Sequence, residues 1–377
     1  MRAANLTVAV IGGGPAGAVC AWRLARSGVR VLLYERDPER EKPCGGGLTG
    51  RAFAALPELH ELQLPWNEVR RWRILCQGGR EVGLDLEPPL FVVPRRELDR
   101  ALRREAVKAG AALIREPVRE VKPLAGGGWQ INDHAADIAV GAAGMQDPLA
   151  KYLGRKFTRG EMAFTMGRYI PGRFAPEIIT CFFPEQRGYL WWFPRPDHAS
   201  FGMELPAERF DPALVRRTMR EFAADYLPGV EVESGKPYGW TAPAIRDWSP
   251  EARRFAGADW LLVGDAAGLC DVTTGEGISY ALASGVLAAD AIRQGVLPAY
   301  ELRLRLEVIP ELAKAARMQP KFYRSGMLNL AMWFLGRSRS LRQISGDLAH
   351  GRQSYVTLKR RTYREFPHIL WEALTGR

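Results

Sequence analysis

Near its N-terminus the chain runs LTVAVI, a short unbroken apolar stretch, then GGGPAG, then AVCAWRLARSG with helical spacing and a stop at Gly28, then VRVLLYER. An apolar run too short for a helix predicts a buried strand and a 3.6-residue period predicts a helix, so the order reads strand, helix, strand. Segments between Val69 and Val93 alternate and are broken by turns, whereas RRELDRALRREAVKAG places Leu98, Leu102 and Ala106 on one stripe of a helix. Strand-like pieces follow as far as DIAVGAAG, with AGGGW between two of them as a hairpin turn. From Arg155 to about Lys236 the pattern predicts antiparallel strands, with seven aromatic residues between Phe182 and Phe201. DWLLVGDAAG returns to a buried strand followed by glycines, GISYALASGVLAADAIRQG predicts a helix of small residues ending at Gly295, and the remainder reads as helical and rich in Arg.

No repeat, low-complexity tract or Pro/Ser linker separates these segments, so the units are predicted to be interleaved. The fold class is α/β. A Rossmann-type nucleotide-binding unit is expected over 1–68, 94–154 and 238–300, an antiparallel-sheet unit over 69–93 and 155–237, and a basic helical region over 301–377. A length of 377 residues suits about two domains, and 47% hydrophobic content marks a folded globular chain.

Charge changes the picture at one end only. Of a formal net charge of +11, the stretch from Arg303 onward carries 15 Lys and Arg against 5 Asp and Glu. Such asymmetry points to an anionic partner, phospholipid headgroups or nucleic acid, or else to a plainly solvated basic face. Five scattered cysteines contain no CxxC pair, which argues against a disulfide framework, a zinc site or an iron–sulfur cluster and suits a reducing cytoplasm. The N-terminal apolar run, ending in glycines and a proline, reads as a core strand rather than a signal peptide. MLNLAMWFLG, the longest apolar block near the C-terminus, is too short to span a bilayer.

Candidate chemistry begins where the first strand ends. Gly12, Gly14 and Gly17 stand in GxGxxG register, Pro15 and Ala16 open the helix, and Glu35 with Arg36 closes the second strand. Glycines in that register let a pyrophosphate meet the helix N-terminus, and an acid at Glu35 can hold ribose hydroxyls, a dinucleotide site. A second cluster, GDAAGLCDVTTGEGI, puts Gly264 and Asp265 directly after a strand and Gly275, Gly277 and Ile278 at the start of a helix. That helix N-terminus suits an anion developing on a bound ring, or is simply an ordinary helix start.

Two further stretches raise questions of their own. KPCGGGLTG spends Pro43, Cys44, Gly45, Gly46 and Gly47 in one loop, as a backbone must when it turns sharply or lies against something flat, though glycines also mark plain surface turns. In GYLWWFP, strand alternation puts Tyr189, Trp191 and Phe193 on one face and Leu190 with Trp192 on the other. One such aromatic wall suits a long apolar substrate, or forms part of a sheet core.

Taken together, VAVIGGGPAG, Glu35, Arg95 in RRELDRAL and GDAAG resemble the FAD-binding fold of the glutathione reductase type, in its para-hydroxybenzoate hydroxylase-like branch, over roughly residues 6–295. Within that branch KPCGGGLTG, GYLWWFPRPDHASFG and GDAAGLCDVTTGEGI are similar to the geranylgeranyl reductase family, whose YxWxFP signature falls on Tyr189, Trp191, Phe193 and Pro194. The resemblance implies FAD contacts from Gly12, Gly14, Pro15, Ala16, Gly17, Glu35, Arg36, Cys44, Gly45, Gly46, Arg95, Gly264, Asp265, Gly275, Gly277 and Ile278. It implies substrate contacts from Tyr189, Trp191, Phe193 and Pro194, and active-site positions for Cys44, Tyr189 and Trp191. Cys44 as a small buried filler is the plain alternative. One departure is GAAGMQD, where Ala142 and Ala143 stand in place of the Ala-Asp pair that related flavoproteins carry in GADG.

The reaction so implied is hydride transfer from reduced flavin to an alkene carbon of a geranylgeranyl or related isoprenoid lipid, with a proton delivered to the neighbouring carbon by an acid or water. No side chain declares itself that acid: the thiol of Cys44 and the phenol of Tyr189 are weak acids, so positioning is their expected contribution. NADPH or a reduced carrier protein is the expected electron donor. The expected setting is cytoplasmic, with peripheral contact to an anionic membrane, no nucleic-acid partner and a monomer favoured. The same fold serves FAD-dependent monooxygenases and halogenases, but halogenases carry GWxWxIP and a separate lysine motif that this chain lacks. An electron-transfer flavoprotein of the quinone oxidoreductase kind is a further alternative, weakened by the isolated cysteines.

Overall fold

In a computed structural model, which describes residues 6–78 and 80–376, parallel pairing of Thr7–Ile11 with Arg30–Tyr34 and Ile138–Gly141 builds the centre of a five-stranded sheet. Ala112–Ile114 and Trp260–Leu262 complete its edges. Its central strands are nearly all apolar because both of their faces are buried. At the first turn Gly12 has φ +110°, and a Cβ there would lie 2.6 Å from the backbone of Ala142. A Cβ on Gly17 would lie 2.0 Å from the carbonyl oxygen of Gly12, so this glycine lets the helix Pro15–Arg26 sit close on its strand. The small residues of the helix Ile278–Gln294 have the same kind of cause, since a Cβ on Gly285 would meet the Ala16 carbonyl at 2.4 Å.

A second sheet has eight strands in the order Lys236–Pro243, Met162–Pro171, His198–Pro206, Gly188–Pro194, Glu177–Phe183, Asn67–Cys76, Arg80–Val92 and Gly47–Leu48. Its pairs are antiparallel except Glu177–Phe183 on Asn67–Cys76, which is parallel. The sheet therefore includes part of the glycine loop at one edge and runs on to Pro243 at the other. One face is apolar: Leu190, Trp192, Phe201, Met203 and Leu205 pack against Val215, Met219, Phe222 and Ala223 of the helix Pro212–Tyr226. That helix corrects the expectation of strands throughout 155–236. Asp211 caps it by accepting from the Ala213 N–H at 2.8 Å, and Pro212 opens it.

A small three-stranded sheet, Val121–Pro123, Trp129–Ile131 and His134–Ala136, contains the hairpin read from AGGGW. The C-terminal helices include Leu297–Arg303, Ile309–Phe322, Ser325–Arg337, Arg339–Ala349 and Tyr355–Thr375. Leu328, Met332 and Leu335 of one of them pack onto Ile74, Cys76, Val82 and Leu84 of the outer strands. Among the described residues no helix is long and apolar enough to cross a membrane.

Candidate functional site

A cavity of about 1210 Å³ lies between the two large sheets, above the roughly 300–1,000 Å³ common for small-ligand sites. Nine of the sequence-derived candidates line it: Gly12, Gly14, Pro15, Ala16, Glu35, Arg36, Arg95, Gly264 and Asp265. Gly17 does not, being used in packing, and neither do Cys44, Gly45, Gly46, Gly275, Gly277, Ile278 or the aromatic signature residues. Arg40, Lys42, Asp99, Arg119, Lys151, Thr165 and Trp240 also line the cavity and were not singled out from sequence, and so does Ala142, noted there only as a departure from the family pattern.

The donor set fits a dinucleotide. The helix Pro15–Arg26 starts at Gly14 with no side-chain cap and no acid in its first turn, which leaves backbone N–H groups and a partial positive charge at the cavity. Glu35 is 8% exposed and is fixed by accepting the N–H groups of Gly13 and Asp37, each at 3.0 Å, so each carboxylate oxygen keeps acceptor capacity for a ribose hydroxyl. Lys42 donates to Asp265 at 2.8 Å, and both Lys42 and Arg40 lie over the Trp240 ring. Arg95 differs from a free phosphate ligand: buried, it forms a two-pronged pair with Asp99 at 3.0 and 2.9 Å, which neutralises it. Near Ala142, the buried Asp147 accepts the Ala143 N–H at 2.9 Å, and burial pushes its carboxyl up to about 6. FAD would thus be held with its ribose at Glu35, its pyrophosphate at the Pro15 helix and its ribityl chain near Asp265.

The glycine loop lies against a ring. A Cβ on Gly45 or Gly47 would stand 3.2 or 3.0 Å from Phe193, and Gly46 at φ +86° would put one 2.2 Å from the Val93 carbonyl oxygen. Its backbone is clamped to the sheet by Arg195, which is fully buried and donates to the carbonyls of Cys44 at 2.7 Å and Gly45 at 3.4 Å, to Glu41 at 2.6 Å, and lies over Tyr169. Ser200 donates to the same Cys44 carbonyl at 2.8 Å and accepts from Trp191 Nε1 at 3.2 Å. Cys44 is half-buried; its Sγ accepts the Gly46 N–H at 3.3 Å beside the Arg95 guanidinium.

Strand register extends the aromatic wall well beyond GYLWWFP. On the sheet face opposite the Pro212–Tyr226 helix, Tyr189 stands in one cross-strand row with Glu204, Thr165 and Trp240. Trp191 shares the next with Gly202, Gly167 and Tyr238, and Phe193 the next with Ser200, Tyr169 and Lys236. A Cβ on Gly275 would lie 2.0 Å from the Tyr189 hydroxyl, and one on Gly277 3.6 Å from Asp265 Oδ1, so the second glycine cluster joins the wall to the cavity. Burial, reinforced by the nearby Asp265, pushes the half-buried Glu204 up to about 7. Arg195, Ser200, Glu204, Tyr169 and Tyr238 escaped the sequence reading. Alternation in KPYGWTAP would have paired Tyr238 with Trp240, but no local signal links either to Tyr189.

The parallel sheet, the uncapped helix N-terminus and the acid at Glu35 suit a dinucleotide, and a family model described as DAO, FAD dependent oxidoreductase, matches residues 7–92, so the class is that of an FAD-dependent oxidoreductase. The chain is similar to a menaquinone reductase of Mycobacterium tuberculosis, 30% identical over 316 residues that cover 76% of each protein. It is also similar to a chloroplastic geranylgeranyl diphosphate reductase of Oryza sativa, 30% identical over 325 residues covering 77% of this chain and 67% of the other. A solved geranylgeranyl bacteriochlorophyll reductase-like protein of Thermoplasma acidophilum shares the fold with a TM-score of 0.69 at 23% identity, covering 99% of this chain and 100% of that one. The chain belongs to the geranylgeranyl reductase family of flavoproteins.

Proposed function

We propose that the protein saturates carbon–carbon double bonds of geranylgeranyl or related isoprenoid lipids. The observation that carries this reading is the seat of the Tyr189 hydroxyl against Gly275, which starts an aromatic wall at the Asp265 loop where the flavin end of the cavity is expected. Bound FAD supplies the two-electron chemistry. Tyr189, Trp191 and Phe193 provide an apolar surface that orients a polyprenyl chain and excludes water, whereas Pro194, the cross-strand partner of Ala199, falls on the opposite face with Trp192. Cys44, held by Arg195 and Ser200, borders the same region. NADPH or a reduced carrier protein provides electrons in this reading, and the basic C-terminal helices rest on the cytoplasmic side of an anionic membrane. Exposed Leu306, Met327, Leu330, Tyr363, Trp371 and Leu374 support that contact.

Enzyme reduced with dithionite under anaerobic conditions, given geranylgeranyl diphosphate, should yield a product with two added hydrogens per reduced double bond and no added oxygen. If no alkene is reduced without air, and oxygenated products form once air is admitted, the monooxygenase reading replaces this one.

A further inference from the structure

Saturating an alkene needs a proton as well as a hydride, and the sequence offers no acid for it. We infer that Glu204 is the carboxylic acid that delivers this proton, acting from the end of the aromatic wall beside Tyr189; the inference rests on the reductase reading. Glu204 is the direct cross-strand partner of Tyr189, so both side chains rise from the same sheet face. A Cβ on Gly275 would be 2.0 Å from the Tyr189 hydroxyl and 3.6 Å from Glu204 Oε1, which places the carboxyl under the second glycine cluster with Asp265 nearby. No hydrogen-bond partner among the described residues holds its side-chain oxygens. Carboxylates that serve structure here, such as Glu41 and Asp147, are by contrast bonded to backbone N–H groups.

The groups facing Glu204 narrow the choice of acid. From neighbouring elements come the phenols of Tyr189 and Tyr323, the Cys270 thiol, and Asp265 paired with Lys42, while Arg187 and Arg246 border the adjacent void. Burial pushes Tyr189, Tyr323 and Cys270 upward, so none of them releases a proton readily near neutral pH. Glu204, pushed up to about 7 by burial and by Asp265, both holds and releases one there. The void it borders with Tyr189 and Tyr323 is about 20 Å³, room for about one water through which the carboxylate can be recharged. In the balanced step, a hydride from two-electron-reduced flavin forms one C–H bond and the Glu204 proton forms the other as the π bond breaks. The carboxylate left behind takes a proton from solvent, and the alkene gains two electrons as the flavin is oxidised.

The test uses FAD-loaded full-length wild type, Glu204→Gln and Glu204→Asp with geranylgeranyl diphosphate. Wild-type turnover should fall as pH rises through about 7. Glu204→Gln should keep its FAD and fold but lose about 100-fold or more in rate and the pH dependence, with Glu204→Asp partly restoring both. Independently of turnover, carbon NMR of the protein labelled at Glu carboxyls should show one resonance titrating near 7 that is absent from Glu204→Gln. If wild type reduces the alkene and Glu204→Gln matches its rate and pH profile, or if no such resonance exists, the acid role is overturned while the reductase reading stands. If wild type reduces no alkene, the reductase reading fails and takes the acid role with it.

Discussion

Arg195 offers the sharpest test of how the glycine loop is held, because a fully buried guanidinium is rare and this one joins five partners, His198 Nε2 at 3.1 Å among them. Arg195→Ala removes donors to the Cys44 and Gly45 carbonyls and the ion pair with Glu41, and leaves Tyr169 without its cation. Breaking a buried pair costs about 3–5 kcal/mol when the partner is left bare. Here the orphaning is incomplete: Glu41 still accepts the N–H groups of Arg95 and Arg96 at 2.9 Å each, and Ser200 still donates to Cys44. The low end, about 3 kcal/mol, is therefore expected, within the 5–15 kcal/mol that ordinarily keeps a domain folded. At roughly 2 °C per kcal/mol for a chain of this length, the Tm should fall by about 6 °C. Thermal unfolding followed by circular dichroism measures this, and limited trypsin digestion should show new cleavage after Arg40 or Arg51. Arg195→Lys keeps the charge but not the fork and should lose about half as much. A Tm for the Ala variant within about 1 °C of wild type, with an unchanged tryptic pattern, would refute the clamp.

Glu35→Ala should weaken FAD binding by about 1.5–3 kcal/mol, roughly 10- to 150-fold, read by flavin fluorescence titration of the apoprotein; unchanged affinity removes Glu35 from the ribose site. Gly275→Ala, at φ +69°, should add backbone strain and drive a methyl into the Tyr189 hydroxyl, destabilising by about 1–3 kcal/mol, and adding Tyr189→Phe should recover only the share due to the hydroxyl in urea unfolding; equal losses in single and double variants contradict the contact. Because Glu204 is raised above its ordinary value of 4.5 to about 7, the stability it contributes is full below 4.5 and is lost as pH rises through 7. Wild type should accordingly lose stability relative to Glu204→Gln across that window, and parallel curves would remove the buried acid. The C-terminal region should favour anionic over neutral liposomes in cosedimentation, each surface Lys or Arg contributing about 1 kcal/mol; equal sedimentation with both counts against a membrane role.

Elements whose partners are near in sequence were legible. Thr7–Ile11, the helix after it and Arg30–Tyr34 follow from an apolar run, a 3.6-residue period and the glycines between them, because a parallel strand buried on both faces has no choice but to be apolar. The helix Arg95–Lys108 and the Gly295 stop were readable for similar local reasons. The helix Pro212–Tyr226 was missed although DPALVRRTMREFAADY carries its own cap, an opening proline and a stripe at Val215, Met219, Phe222 and Ala223. There the aromatic density of the preceding strands outweighed a local signal that was present. The parallel pairing of Glu177–Phe183 with Asn67–Cys76 is different in kind, since nothing near either strand specifies the other.

That difference also explains which part of the site stayed hidden. Candidate cofactor contacts that depend on local backbone geometry, such as Gly12, Gly14 and Glu35, sit within one strand–helix–strand unit, so their signal is written in their spacing. Those of the proposed substrate wall come together only through register: Glu204 reaches Tyr189 because His198–Pro206 pairs with Gly188–Pro194 at that one offset, and Trp240, which lines the cavity, reaches the same row through two more pairings. A slip of one residue would turn Glu204 toward the Phe222 side and bury a carboxylate in an apolar core, at a cost of several kcal/mol. The register that hides Glu204 from sequence is thus itself enforced by Leu190, Trp192, Met203 and Leu205 on the opposite face. The apolar face of the sheet, which does no chemistry, decides which polar groups the other face can bring to the flavin.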